Sequence, residues 1–208
     1  MSSSKLIGRL SVYRRLLKDT ALGGETHVFS HDLARMAGGT PAQVRRDVMS
    51  IGFSGSPARG YDIEELIGAI SRVLDPPEDQ GIALVGVGNL GRAMLAYFVG
   101  RMPRFSLVAA FDANPDRVDR VIHGCRCYPV AQLGEVVREK HIQVAMIAVP
   151  AEEAQGIANA LCGAGVRGLV NFAPVRLWVP EGVYVENVDV TMSLERVAYY
   201  AQHGDTGR

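Results

Sequence analysis

Two short stretches of this chain carry residue types at spacings that can do chemistry. The first is Gly86-Val87-Gly88-Asn89-Leu90-Gly91, which follows the apolar run 81–85 and precedes the helical pattern Ala93, Met94, Tyr97, Phe98. Between a strand and a helix each glycine has a task. Gly86 makes the tight turn, Gly88 lets backbone approach a pyrophosphate, and Gly91 lets the helix sit against the strand. Val87, Asn89 and Leu90 complete the turn, whose free N–H groups and positive helix end suit phosphate oxygens. A second apolar run, 107–111, ends in Asp112. A carboxylate about twenty residues past the last glycine accepts hydrogen bonds from the adenosine ribose and repels a 2′-phosphate, so the expected ligand is NAD or NADH rather than NADP(H). Arg117 works against that preference. Val149-Pro150 and Asn171-Phe172 close two later apolar runs, and Tyr97 lies on the helix behind the turn. All are expected to complete a pocket beyond the strand ends.

The second stretch is Thr40-Pro41-Ala42-Gln43-Val44-Arg45-Arg46-Asp47. Thr40 can cap a helix that opens with proline, whose missing N–H costs nothing in the first turn. Val44, Val48 and Ile51 form a buried stripe, which turns Gln43, Arg46 and Arg45 outward. In a major groove, arginine matches guanine O6/N7 and glutamine matches adenine N6/N7. Two plainer uses compete: Thr40-x-x-Gln43 is also a capping box, and outward arginines are commonly solvated charge. The turn-rich segment Phe53-Ser54-Gly55-Ser56-Pro57-Ala58-Arg59-Gly60-Tyr61 reads as a wing, with Ser54 and Arg59 placed to meet DNA. Thr40 and Arg9, the latter on the first helix, join the DNA-facing set.

The elements that must hold these residues are legible around them. Leu6, Leu10, Tyr13 and Leu17 make one face of a first helix that Ser4 can cap. Ser30 can cap a short helix carrying Leu33, Met36 and Ala37, which Gly38-Gly39 ends before Thr40. A short helix, a glycine turn and a second helix with outward Gln and Arg form the helix-turn-helix pattern. Asp62 caps a fourth helix with Ile63, Leu66, Ile67, Ile70 and Leu74, and Asp75-Pro76-Pro77-Glu78-Asp79-Gln80-Gly81 reads as a linker. Beyond it, apolar runs at 144–149, 169–172 and 183–188 alternate with helical patterns at 132–138 and 152–164. That is the rhythm of a doubly wound parallel sheet. A last helix over 193–201 has the apolar stripe Leu194, Val197, Ala198, Ala201, expected to pack into a partner subunit. The expected fold is α/β: a winged helix-turn-helix domain over 1–78, a Rossmann-like doubly wound parallel sheet over 79–190, and a domain-swapped dimerisation helix with its tail over 191–208.

Composition bounds the rest. Lys plus Arg and Asp plus Glu number 22 each, which excludes a chain that is basic along its whole length. The neutrality hides an asymmetry: residues 1–60 hold nine basic side chains against four acidic ones. The remainder carries the opposite surplus, so the two halves are expected to meet different partners. Apolar residues make up 48% and charged ones 21%, a globular composition. No apolar run approaches the roughly 18 residues of a membrane span, and no secretory h-region follows Met1, so a cytoplasmic protein is expected. Enzyme signatures are missing: there is no Tyr-x-x-x-Lys, and His27, His31, His123, His141 and His203 are scattered without metal spacing. Cys125-x-Cys127 and Cys162 are expected to be structural, and no metal site is expected. The nucleotide is therefore expected to be sensed rather than consumed.

A winged helix with Gln43-Val44-Arg45-Arg46-Asp47, joined to such a nucleotide domain, resembles Rex, a family of bacterial redox-sensing transcriptional repressors. Asn171-Phe172-Ala173-Pro174, Val185-Glu186-Asn187-Val188-Asp189 and the closing Leu194-Glu195 and Tyr199-Tyr200 extend the resemblance over most of the chain. It implies a homodimer that represses from double-stranded operator DNA and is released by NADH, so that transcription follows the NADH/NAD⁺ ratio. It also implies that Arg15, Asp189 and Tyr97 exchange polar contacts between two states. The wing departs from the family pattern, in which an aromatic-rich segment leads to a Lys/Arg-Gly tip. Here Ser50-Ile51-Gly52-Phe53-Ser54-Gly55-Ser56-Pro57-Ala58-Arg59 lacks the aromatic at two places and carries its charge at Arg59, so the family's operator and wing contacts are not carried over. Two other readings fit the glycine turn: a small NAD-dependent reductase with an N-terminal interaction domain, and a CoA-binding module.

Overall fold

Apolar residues three and four apart line one face of the first helix, α1 (Ser4–Leu22), and this stripe seeds the first of two cores. The computed structural model describes residues 4–98 and 104–204. The outermost residues of the expected domains, 1–3 and 205–208, lie outside it. The chain forms two compact units, Met1–Pro77 and Glu78–Arg208.

In the first unit, α1 is followed by β1 (His27–Val28), α2 (Ser30–Ala37), α3 (Pro41–Ser50), β2 (Tyr61–Asp62) and α4 (Ile63–Leu74). Leu10, Tyr13 and Leu17 meet Leu33, Val44, Val48, Leu66 and Ile70 in the core. Each such burial stabilises by about 1.5–3 kcal/mol. Gly38, at φ 68°, ends α2 in the left-handed conformation that glycine adopts without strain. Thr40 then caps α3 by accepting the Gln43 N–H at 3.2 Å, and Asp62 caps α4 by accepting the Glu65 N–H at 2.9 Å. Ser30 does not cap α2. It is the first helical residue, Phe29 occupies the cap position, and the Ser30 hydroxyl accepts from Arg45 at 3.1 Å. The wing closes where Val28 pairs with Tyr61 and Ser56 exchanges two backbone hydrogen bonds with Gly60, each 2.7 Å.

The strands of the second unit are buried at the centre of the sheet, as parallel strands between helix layers must be, and exposed at its edges. They are β3 (Gln80–Val85), β4 (Phe105–Asp112), β5 (Arg120–Ile122), β6 (Cys125–Pro129), β7 (Val144–Ile147), β8 (Gly168–Asn171) and β9 (Tyr184–Asn187). Their order is β5-β6-β4-β3-β7-β8-β9, with all neighbours parallel except β5 and β6. Apart from the edge strand β5, this is the order of a dinucleotide-binding sheet whose winding reverses between β3 and β7. The helices are α5 (Asn89–Phe98), α6 (Leu133–Glu139), α7 (Ala151–Ala164) and α8 (Val190–His203). Alternate residues of β3 serve opposite layers. Ala83 and Val85 join Phe111, Leu133, Ile147 and Leu161, whereas Ile82 and Leu84 join Leu95, Ala110, Cys127 and Met146.

Neither β5 nor β6 is predicted by the apolar pattern of the sequence. Their hairpin turns through His123 (φ 48°) and Gly124 (φ 82°), the two-residue connection whose positive dihedrals suit the strand twist. Along β6, Cys125 and Cys127 face the core and Arg126 faces out, so the Cys-x-Cys spacing is strand alternation. Among the described residues no group of three His, Cys, Asp or Glu is placed to hold a metal, and no helix is long and apolar enough to cross a membrane. The last helix, α8, is longer than expected and buries none of its residues.

Burial pushes the Cys125 and Cys127 thiols up to about 11. Because the thiolate is the reactive form, Ellman's reagent at pH 8 should leave both unmodified in the native protein and titrate them only after denaturant is added. Labelling of either at the rate of a free thiol would contradict their place in the sheet.

Candidate functional site

The chain leaves β3 at Val85 and turns at Gly86 (φ 94°), where a Cβ would lie 2.4 Å from the Ala148 carbonyl oxygen. Gly91, in the first turn of α5, is packed harder still: a Cβ there would lie 1.9 Å from the Gly86 carbonyl oxygen. Gly88 differs from both. No atom lies within 4 Å of its would-be Cβ, and it borders a cleft of about 440 Å³ at the carboxyl ends of β3, β4 and β7. A phosphate brought to Gly88 meets backbone N–H groups and the positive end of α5. A cradle left open by one glycine and closed around two others fits a dinucleotide pyrophosphate.

Asp112 ends β4 and is buried, yet it borders the same cleft. Its Oδ2 accepts the Val87 N–H at 2.7 Å and an Arg117 N–H at 3.2 Å, and its Oδ1 accepts the Asn114 N–H at 2.8 Å. Burial pushes the carboxyl up, but the Asn114 and Val87 N–H groups and the Arg117 guanidinium outweigh it and hold the pKa below the ordinary range. Asp112 is therefore ionised, and Arg117 is its counter-charge. Val149 and Pro150, after β7, share this wall with Asn114, Val130, Ala148, Glu153 and Ile157. Those five went unread because only their place after a strand or on a facing helix distinguishes them.

The remaining expected contacts lie elsewhere. The Asn171 carboxamide, 1% exposed, donates to Val175 O at 2.8 Å and Asn187 Oδ1 at 2.9 Å and accepts the Ala173 N–H at 3.0 Å. It fixes the loop after β8 instead of reaching the cleft. Phe172 packs on the α5 side of the sheet, and Tyr97 stands edge-on to Phe98 at 5.2 Å; neither lines the cleft. Val87 is buried and contributes its N–H to Asp112. Asn89 accepts from Arg92 at 3.2 Å, and Leu90 is exposed.

In the first unit, α3 turns Gln43, Arg45 and Arg46 away from the core. The Gln43 side chain runs to Asp47 and Arg46 rather than back to Thr40, so only half of the capping box forms. Arg45 borders a groove of about 360 Å³ between α3 and the wing, with Met49, Phe53, Ser54 and Tyr61, and Arg59 is exposed at the wing tip. Arg9, expected to face DNA, keeps about a third of its side chain exposed, and its Nε and Nη2 donate to Asp47 at 2.6 and 2.8 Å. Burial pushes Asp47 up, but its bonds from Arg9, Gln43 and Tyr13 outweigh this and hold it below its ordinary range. Tyr13, pushed by burial and by Asp47, rises to about 12. Arg15 is exposed on α1, and Asp189 caps α8 by accepting the Met192 N–H at 2.9 Å.

A winged helix-turn-helix unit followed by a dinucleotide-type sheet defines a class in which a DNA-binding unit and a nucleotide-binding unit share one chain. Residues 3–48 match the family model of a DNA-binding protein N-terminus, and residues 77–175 match that of a CoA binding domain. The chain is 40% identical over 193 residues to the redox-sensing transcriptional repressor Rex of Carboxydothermus hydrogenoformans, covering 93% of each. It is 37% identical to that of Rhodopirellula baltica over 97% of this chain and 85% of the other. Among solved structures, RSP, a Rex-family repressor, in complex with β-NAD⁺ and operator DNA superimposes with a TM-score of 0.91 at 29% identity, over 98% of this chain and 94% of that one. Its complex with β-NADH gives 0.87 at 29% identity, over 98% and 96%. The chain belongs to the Rex family of redox-sensing transcriptional repressors, which are regulators and not enzymes.

Gly88 and Gly91 should separate in experiment. Gly91→Ala drives a methyl into the Gly86 carbonyl and should destabilise the protein by more than about 2 kcal/mol. Gly88→Ala should melt within about 1 kcal/mol of the parent and instead lose dinucleotide affinity in calorimetric titration. Equal melting of the two variants would refute the division of labour.

Proposed function

We propose that the chain binds double-stranded operator DNA through its first unit, senses NAD(H) through its second, and leaves the DNA when NADH binds, so that transcription follows the NADH/NAD⁺ ratio. In this reading the DNA-binding domain spans 1–78, the NAD(H)-binding domain 79–190 and the dimerisation element 191–208, and the protein acts in the cytoplasm. The observation that carries the reading is the open cradle at Gly88 beside an ionised Asp112, in a chain whose other unit presents Gln43 and two arginines on an outward helix face. RSP, similar over nearly its whole length, is known both with β-NAD⁺ on operator DNA and with β-NADH.

On the DNA, α3 enters the major groove with Gln43 and Arg46 toward base edges. The α3 N-terminus at Thr40 and the side chains of Arg45, Ser54 and Arg59 meet backbone or minor groove. In the cleft, Gly88 and the N-terminus of α5 receive the pyrophosphate, and Asp112 receives the adenosine ribose. The bound cofactor supplies a redox-dependent charge, because its nicotinamide ring is positive when oxidised and neutral when reduced. An apolar surround disfavours the unpaired charge and so prefers NADH. A ligand moves a conformational equilibrium only by its differential affinity; swinging 1:99 to 99:1 takes about 5.5 kcal/mol, and a hundredfold preference supplies about half. Arg15, Tyr97 and Asp189 exchange polar contacts between the two states. Leu194 and Val197, about two-thirds exposed on a helix that buries nothing of its own, pack into a second copy of the chain.

The match of 77–175 to a CoA binding domain favours one other ligand for the same cleft, CoA. Anisotropy of a labelled duplex from the chain's own promoter region separates the two. NADH should release the DNA, NADPH should do so only at much higher concentration because its 2′-phosphate meets Asp112, and CoA should have no effect. Release by CoA and not by NADH would reassign the cleft. Arg46→Ala should cost about 1–3 kcal/mol of operator affinity and leave NADH binding intact. Sedimentation should show a dimer at micromolar concentration, and a monomer would remove the role given to α8.

A further inference from the structure

Gln43 is chemically ambiguous as a reader of DNA. Its carboxamide has a donor edge and an acceptor edge of nearly the same shape, and a half turn about its last torsion exchanges them. On an exposed helix face both orientations would be populated, and the residue would offer a base two opposite patterns. In this protein the neighbours remove the choice. Gln43 Nε2 donates to Asp47 Oδ1 at 2.8 Å, and Arg46 Nη2 donates to Gln43 Oε1 at 3.3 Å. An ionised aspartate only accepts and a guanidinium only donates. The flipped carboxamide would set oxygen against carboxylate and N–H against guanidinium.

We propose that Asp47 is the positioning residue of the base-reading face: it fixes which edge of the Gln43 carboxamide is offered to DNA, and through Gln43 it holds Arg46. The inference rests on the reading of α3 as the helix that enters the major groove. Asp47 is itself held from behind. It is 4% exposed, and besides Gln43 it accepts from Arg9 Nε and Nη2 at 2.6 and 2.8 Å and from the Tyr13 hydroxyl at 3.1 Å, all from α1. Arg9 also cancels a negative charge that would otherwise stand one helical turn behind a surface meant for phosphates. One Nε2 hydrogen goes to Asp47, which leaves the second hydrogen and an Oε1 lone pair for a base.

The experiment is an anisotropy competition with operator duplexes changed at one base pair at a time, run on the full chain for the parent, Asp47→Asn, Gln43→Met and the double variant, with melting temperatures alongside. In the parent, changing the base pair that Gln43 meets should weaken binding about tenfold or more, and in Asp47→Asn that preference should fall below about threefold, because asparagine can face either edge. Affinity of Asp47→Asn for a non-operator duplex should not fall, because the change removes a negative charge and frees the Arg9 cation behind the phosphate-facing surface. Gln43→Met should abolish the same preference, and adding Asp47→Asn to it should change nothing further. An Asp47→Asn variant that melts lower but keeps the full base preference overturns the proposal, since Asp47 would then merely stabilise the fold. A Gln43→Met variant with every base preference intact overturns instead the reading of α3 on which it rests. Should Asp47→Asn melt below the assay temperature, Asp47→Glu is read in its place. It keeps the charge for Arg9 and moves the acceptor by one methylene, with the same two outcomes.

Discussion

The Asp112 carboxylate reaches from the end of β4 to the Val87 N–H in the turn after β3, at 2.7 Å, and the geometry of the cleft beside Gly88 depends on that bond. It ties two adjacent strand ends together, so Gly86, Gly88 and Asp112 face the cleft in a fixed relation. The same bond, with the Asn114 N–H and Arg117, keeps the buried carboxyl ionised. A naked carboxylate beside a diphosphate would repel it. Here Arg117 supplies the compensating charge, so the wall can hydrogen-bond a ribose without presenting a net negative field.

The first unit solves a similar problem with the same device. Asp47 is buried on the inner side of α3, paired bidentately with Arg9 and bonded by Tyr13 and Gln43. A buried carboxylate with several donors is directional, and removing one partner leaves the others fixed around a costly charge. In each unit an aspartate pins a piece of backbone or side chain proposed to meet a ligand, and an arginine neutralises it.

Helix α1 joins the device of the first unit to the proposed switch. Its inner face carries Leu10, Tyr13 and Leu17 into the core and Arg9 to Asp47, while Arg15 is exposed further along the same rigid rod. Movement at Arg15 is therefore movement of the element that backs α3, the helix proposed to read DNA. At the other end of the chain Asp189 caps α8 through Met192, so a polar contact exchanged there acts on the first turn of the helix proposed to join two subunits. A ligand with differential affinity for two arrangements needs such discrete, stiff elements, since packed cores switch between arrangements and do not deform continuously.

By itself the sequence determined the elements whose periodicity or punctuation is local: the α1 stripe, Thr40-Pro41 and Asp62 at helix starts, the glycine turn, and the alternation of apolar runs that makes a doubly wound sheet. These follow from steric and hydrogen-bonding rules that act within a few residues. The hairpin of β5 and β6 escaped because Arg120–Ile122 and Cys125–Pro129 are short and mixed in polarity, and become strands only when β4 offers an edge. Tertiary structure alone decided which polar side chains pair with one another. Arg9 and Asn171 look, by residue type, like groups awaiting a ligand, yet Arg9 belongs to Asp47 across 38 positions and Asn171 to Asn187 across 16. Only folding brings such partners together, because no rule that acts within a few residues reaches across 16 or 38 positions.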